Sequence, residues 1–169
     1  MRRTIRAGLR PYHRHVARDD PLACLITFRC YGTWRHGDDR GSFQRSTPGV
    51  AAEEVGASPS LDTWERLRLA HPPARLDESR RTVIGEVIAE ACAFRGWRLH
   101  AINVRTEHVH LVVSASEPPE HVLNALKARC TRELRGRGLA RPGEGLWSRH
   151  GSTRYLWDEA AVDAACRYV

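Results

Sequence analysis

The order of hydrophobic patterns along the 169 residues predicts an α+β fold: a ferredoxin-like βαββαβ antiparallel sheet with two helices on one face and a C-terminal helix that carries Tyr168. Two observations support it. Stretches rich in β-branched residues alternate with two long stretches of helical period, and the two central strand patterns follow each other closely, as in a hairpin. The chain length suits one domain, which we expect over residues 21–169, after a basic arm at residues 1–20.

The elements follow in order. Residues 1–20 hold many arginines and no regular period, which is typical of a flexible arm able to lie along a phosphate backbone, or of a solvated tail. Residues 22–31 form an apolar run that predicts a central strand. Residues 35–76 are rich in Gly, Pro, Ser and charge, which predicts a long loop with only a weak helical stretch near 61–69.

The hydrophobic patterns after residue 76 are more regular and predict their elements more clearly. Residues 77–94 predict an amphipathic helix that begins at the capping Asp77 and stops near Gly96. Residues 97–104 and 107–113 predict two strands joined as a hairpin. Residues 118–134 predict a second helix whose basic side chains, Lys127 among them, lie away from its buried stripe. Two short strands at 146–150 and 153–157 and a last helix from Asp158 complete the chain.

Charge and cysteine content indicate the type of partner and the cellular compartment. The net charge of +7 favours an anionic partner such as nucleic acid, although an arginine bias also follows from a GC-rich genome. Five scattered cysteines without a Cys-x-x-Cys spacing indicate a reducing cytoplasm. Neither a membrane span nor a signal peptide is indicated, because no run of about 18 apolar residues occurs.

His108 and His110 are the strongest candidate for a functional site. In a strand, side chains two residues apart share a face at about 7 Å between Cα atoms, so both imidazoles can reach one divalent cation. Val109, Leu111 and Val113 should then face the two helices, and the histidines the open side. Two partly exposed histidines without a ligand role are the alternative.

Four blocks in this sequence resemble the HUH single-tyrosine transposases, the insertion-sequence-200-like group that includes the REP-associated tyrosine transposases. The blocks are YGTW at 31–34 with GDDRGS at 37–42, NVRTEHVHLVV at 103–113, KARCTR at 127–132 with Leu134, and WSRHGSTRYLW at 147–157 leading to Tyr168 and Val169.

The resemblance implies a set of roles. His108 and His110 would bind Mg²⁺ or Mn²⁺, and Tyr168 would be the nucleophile that forms a 5′-phosphotyrosine on single-stranded or hairpin DNA. A buried tyrosine among helix alanines is the structural alternative for Tyr168. Related proteins place the site within one chain or across a dimer, so the protein is expected to be a monomer or a homodimer. The residues expected to contact DNA are Trp34, Arg35, Arg40, Lys127, Arg132, Arg149 and Arg154.

Two departures from the family pattern leave alternatives open. The family carries a metal-binding glutamine four residues after the tyrosine, whereas this sequence ends at Val169, and position 107 is Glu where the family commonly has Asn or Asp. Glu107, by way of a bulge, or His150 could substitute. Either the chain lacks its tail, or the protein is a non-catalytic remnant that binds hairpin DNA. A zinc hydrolase built on His-x-His is a third possibility, but it needs ligands that the sequence does not supply.

Overall fold

The structure, a computed structural model, describes residues 20–44 and 53–169. The predicted basic arm lies outside the described residues, except for Asp20. The strands are β1 (Ala23–Cys30), β2 (Ser42–Gln44), β3 (Glu53–Val55), β4 (Arg98–Val104), β5 (His108–Ser114) and β6 (Trp147–Leu156). The helices are α1 (Pro59–Leu67), α2 (Glu78–Arg95), α3 (Pro119–Gly136) and α4 (Glu159–Tyr168).

Four strands form one antiparallel sheet in the order β4-β5-β1-β6. Strands β1, β4, β5 and β6, with α2 and α3 between them, follow the chain order βαββαβ, and the sheet order is that of a ferredoxin-like fold. The fold class predicted from the sequence is confirmed. The tight link between β4 and β5 is also confirmed: Arg105 N donates to His108 O at 2.8 Å across the hairpin.

Local sequence signals set the helix ends. The side chain of Asp77 accepts a hydrogen bond from Arg80 N, and α2 ends at Gly96, whose φ of 69° lies in the left-handed region that glycine adopts without strain. The side chain of Asp158 caps α4 in the same way, accepting from Ala161 N. Both caps are the ones predicted from the sequence.

The main core lies between α2, α3 and one face of the sheet. Its strand residues are the ones predicted, since Val109, Leu111 and Val113 are all buried against the helices. Four of the five cysteines are buried, which agrees with their expected role as small apolar side chains.

A smaller cluster covers the opposite face, where α4 packs. Ala23, Val112, Leu156 and Ala165 are buried together there. This contact fixes α4 over the face of the sheet that also carries the two histidines.

Two predictions of local structure need correction. The stretch expected as a long loop holds a two-stranded sheet of β2 and β3, and the weak helical stretch expected near 61–69 is helix α1. The two short strands expected near the C-terminal end are one strand, β6, because Gly151 and Ser152 pair with β1 instead of forming a turn. A bulge interrupts the β1–β6 pairing: Phe28 pairs with Gly151 and Cys30 with Trp147, so residues 148–150 stand opposite Arg29 alone.

Candidate active site

His108 and His110 lie side by side on the face of the sheet that α4 partly covers. Their ring centroids are 4.6 Å apart and the planes meet at 74°. Their cross-strand partners on β1 are Arg29 and Thr27, and the partner of His110 on β4 is Asn103. Directly opposite residues share a face, so these five side chains surround one patch of the sheet, which we call the histidine patch.

Thr27 orients one of the two imidazoles. Its hydroxyl Oγ1 lies 2.8 Å from His110 Nδ1. When Nδ1 carries the proton and donates to this hydroxyl, Nε2 keeps a free lone pair. A hydrogen bond of this kind fixes the tautomer and ring orientation of metal-binding histidines in general.

Both histidines favour the neutral form. Burial is the main cause that lowers the pKa of His108 to about 4, and the neighbouring His110, Arg29 and Arg105 lower it further. Burial, followed by Arg29 and Arg105, also lowers the pKa of His110. At neutral pH both rings are therefore unprotonated, which is the form that binds a cation.

Helix α4 brings Tyr168 to the histidines. The Tyr168 ring lies 5.4 Å from the His110 ring, centroid to centroid, with the planes at 75°. The side chain is 67% exposed, so the alternative of a buried tyrosine is wrong. Asn103 Nδ2 donates to Val169 O at 2.6 Å and ties the last residue of the chain to β4.

In the described part of the chain, the patch offers two imidazoles and no third His, Cys, Asp or Glu side chain as possible ligands for a cation. Among residues 20–44 and 53–169, no group of three His, Cys, Asp or Glu side chains could hold a metal ion, so neither Glu107 nor His150 completes a site with the pair. Glu107 instead pairs with Arg75 at 3.0 Å and with Arg40 at 3.6 Å. The zinc hydrolase alternative gains no support from this part of the chain. Two neutral, adjacent rings fit a divalent cation as two of its ligands.

Arg35 and Arg40, expected to contact DNA, hold the segment that follows β1. Arg35 Nε donates to Asp62 Oδ1 at 2.7 Å, which fastens this segment to α1. Arg40 donates to both carboxylate oxygens of Asp38, with NH2 to Oδ2 at 2.6 Å. The Arg40 guanidinium holds the pKa of the largely buried Asp38 carboxyl well below its usual range.

The prediction that Lys127 lies away from the buried stripe of its helix was wrong. Its side chain is 7% exposed, and Nζ donates to Ser148 O at 2.9 Å and to His150 O at 3.0 Å. Both carbonyls belong to the bulge of β6. The long alkyl stem of lysine lets an apolar helix face carry an ammonium, which a simple helical period does not reveal.

The other predicted arginines are divided between the two faces of the sheet. Arg132 is exposed on α3, on the face opposite to the histidines. Arg149 is exposed within the bulge of β6. Arg154 is exposed and pairs with Leu25, so its side chain faces the same side as His108 and His110.

Three of the tryptophans, Trp34, Trp147 and Trp157, lie in different environments. The Trp34 ring is in contact with two guanidinium groups, Arg29 at 3.6 Å and Arg40 at 5.1 Å from the ring centroid. Trp147 is partly buried and packs against the core, edge-on to Phe28 with the ring centroids 5.0 Å apart. Trp157 is 58% exposed.

Three residues of this patch were missed at the sequence level: Thr27, Arg29 and Asn103. In β1 the polar Thr27 and Arg29 alternate with buried apolar neighbours, and this alternation was a signal that they face away from the core. Their position beside the histidines depends on the strand order, which the alternation does not give.

The comparisons with known proteins give one family. The family model described as "Transposase IS200 like" matches residues 73–169, more than half of the chain. No curated protein matches. Among the described residues, no helix is long and apolar enough to cross a lipid bilayer.

Two solved structures are similar to this chain. One is described as a putative transposase from Deinococcus radiodurans R1, with 14% identity, 95% of each chain covered and a TM-score of 0.49. The other is described as a REP-associated tyrosine transposase bound to a REP hairpin, with 12% identity, 95% of this chain and 70% of the other covered, and a TM-score of 0.47. At TM-scores below 0.5, these likenesses add nothing to the family match.

Proposed function

The chain belongs to the IS200-like transposase family, and on this premise we propose that it cuts and rejoins single-stranded DNA through Tyr168. One observation carries the proposal. The exposed Tyr168 ring stands 5.4 Å from the His110 ring, beside a pair of histidines that burial keeps neutral. A nucleophile and two free cation ligands thus share one solvent-accessible patch.

The reaction follows from the chemistry of a phenol. Tyr168 Oη attacks the phosphorus of a phosphodiester, a new P–O bond forms, and the P–O3′ bond breaks in line with it. The phenol loses its proton to solvent, and the departing 3′ oxygen gains one. The downstream strand remains attached to Tyr168 through its 5′ phosphate. Attack of a second 3′-OH on this ester reverses the step and joins two strands, so no nucleotide cofactor is needed.

His108 and His110 would hold the cation, Mg²⁺ or Mn²⁺. A bound cation withdraws negative charge from a phosphate oxygen and orients the ester for in-line attack. The contribution of Thr27 is to hold the His110 ring, because its hydroxyl lies 2.8 Å from Nδ1. The remaining ligands would come from solvent and from a phosphate oxygen of the DNA.

The test combines cation binding with cleavage. We expect His108→Ala and His110→Ala each to weaken Mn²⁺ binding in calorimetry and to abolish cleavage of a 3′-labelled pool of random single-stranded DNA. His121→Ala is the matched control, because His121 is exposed on α3. Unchanged Mn²⁺ uptake in the double variant would remove the two histidines from the site.

A second candidate is a protein that binds hairpin DNA without cutting it. The observation in its favour is that the described residues supply only two cation ligands of the His, Cys, Asp and Glu types at the site. Both candidates predict DNA binding that weakens steeply with salt, because arginines displace counterions from phosphates. Only the first predicts a covalent product. Salt-dependent binding without any covalent product would favour the second.

A further inference from the structure

Arg29 is an unexplained cation in the histidine patch, at the end where His108 lies. It lies on β1 directly opposite His108, on the same face of the sheet. The sequence blocks that resemble the family do not include this position.

Among residues 20–44 and 53–169, the guanidinium of Arg29 has no partner of opposite charge. Within the described part of the chain it forms no ion pair and no side-chain hydrogen bond. The nearby carboxylates are already engaged, Asp38 by Arg40 and Glu107 by Arg75 and Arg40. No buried side-chain nitrogen or oxygen of the described residues lacks a partner, so the donors of Arg29 are reached from solvent.

Trp34 holds this guanidinium in place. The Arg29 Cζ atom lies 3.6 Å from the centroid of the Trp34 ring, the closest of the cation–ring contacts among the described residues. Stacking on an aromatic face restricts the plane of a guanidinium while leaving its N–H groups free at the edge. A half-buried, restrained cation with free donors is arranged to receive an anion.

We propose that Arg29 binds the phosphodiester that Tyr168 attacks, with Trp34 as its positioning residue. This inference rests on the proposed function and extends it to substrate binding. A guanidinium edge donates two parallel hydrogen bonds to the two non-bridging oxygens of a phosphate. Charge that accumulates on those oxygens as the bond to Tyr168 forms is stabilised by the same contact. Trp34 then serves the arginine and is not a platform for a base on the face that Arg29 covers.

Three variants separate the parts of this inference. We expect Arg29→Gln to lower the rate of covalent adduct formation at saturating DNA by about 100-fold, the size typical for loss of one transition-state donor. Arg29→Lys keeps the positive charge but not the two parallel N–H donors of the guanidinium, and it should lower the rate of adduct formation by about 10-fold. Trp34→Leu should resemble Arg29→Lys, whereas Trp34→Phe retains an aromatic face and should restore most of the rate, which a purely structural role would not predict.

Arg95→Lys is the matched control. Arg95 also stacks on a tryptophan, Trp97, with Cζ 5.0 Å from the ring centroid. Arg95 is the last residue of α2, and β4 begins at Arg98, which pairs with Ser114 at the end of β5. Arg95 therefore lies at the opposite end of the sheet from His108. This variant should keep the wild-type rate. If Arg29→Gln forms the adduct as fast as Arg95→Lys, the inference is overturned while the proposed function stands.

A binding measurement decides the inference even where no adduct forms. Pentathymidylate is titrated into the Tyr168→Phe protein without metal, and the side-chain Nε–H signals of the arginines are followed by NMR. The Arg29 signal should shift with saturation, and the Arg95 signal should not. An Arg29 signal that stays unmoved while other signals of the protein saturate would refute phosphate binding by this residue, whatever the outcome of the cleavage assay.

Discussion

Replacing Lys127 with methionine should destabilise the fold. Lys127 Nζ donates to Ser148 O at 2.9 Å and to His150 O at 3.0 Å. These carbonyls stand in the bulge where residues 148–150 face Arg29 alone, so the regular pairing of β1 with β6 is interrupted there. The methionine side chain fills a similar volume but donates no hydrogen bond.

The magnitude follows from two lost donors. A hydrogen bond from a charged donor contributes about 1.5–3 kcal/mol, and two are lost. Ser148 is only half-buried and His150 is exposed, so water replaces part of this loss at their carbonyls. Methionine regains part of this, because burial of the ammonium is unfavourable and lowers the pKa of Lys127. We expect a net loss of about 2–4 kcal/mol in the free energy of unfolding, because two hydrogen bonds from a charged donor are lost and only part of that loss is recovered. For a chain of this size that corresponds to a fall in Tm of about 5–15 °C.

Urea denaturation followed by circular dichroism measures this loss. Arg132→Met is the control, because Arg132 is exposed on the same helix and its replacement should change the free energy of unfolding by less than about 0.5 kcal/mol. A Lys127→Met protein as stable as this control would show that the carbonyls of the bulge do not depend on the lysine. A large drop in DNA affinity with unchanged stability would instead restore the DNA-contact role expected from the sequence.

Two further predictions concern protonation. Arg40 depresses the pKa of Asp38 below its unfolded value of about 3.9, so the stability from this pair is present above about pH 5 and is lost as the pH falls further. In urea denaturation, Asp38→Asn should lower the free energy of unfolding by about 1–2 kcal/mol at pH 7 and by less at pH 3. A difference between the variant and the wild type that does not change with pH would contradict the pairing. In the metal-free protein, the His108 imidazole signals should titrate in NMR with a midpoint near 4, so a midpoint near the ordinary value of about 6.5 would contradict its burial.

Much of the fold could be predicted because its signals are local. The caps at Asp77 and Asp158 and the alternation through His108 and His110 depend on neighbours in sequence. These signals gave the element order, and the order of elements gave the ferredoxin-like sheet. The same alternation gave the face on which the histidines lie.

The rest depends on contacts between distant segments. Lys127 appears as one more basic residue on α3 until the bulge of β6 supplies two carbonyls for it. Arg29 appears as a lone charge at the end of an apolar strand until β5 pairs beside it and Trp34 stacks on it. The periodicity of a sequence shows neither the register of paired strands nor which charged side chains already have a partner.

The central claim is that Tyr168 becomes joined to DNA, and mass spectrometry of the adduct tests it most directly. The 169-residue protein is incubated with Mn²⁺ and random single-stranded DNA, treated with nuclease, and cut before aspartate to release residues 163–169. We predict a nucleotide phosphate on Tyr168 in this peptide, and no adduct from the Tyr168→Phe protein. An adduct on Tyr155, which pairs with Cys24 and faces the other side of the sheet, or an adduct that persists in the Tyr168→Phe protein, would contradict the claim.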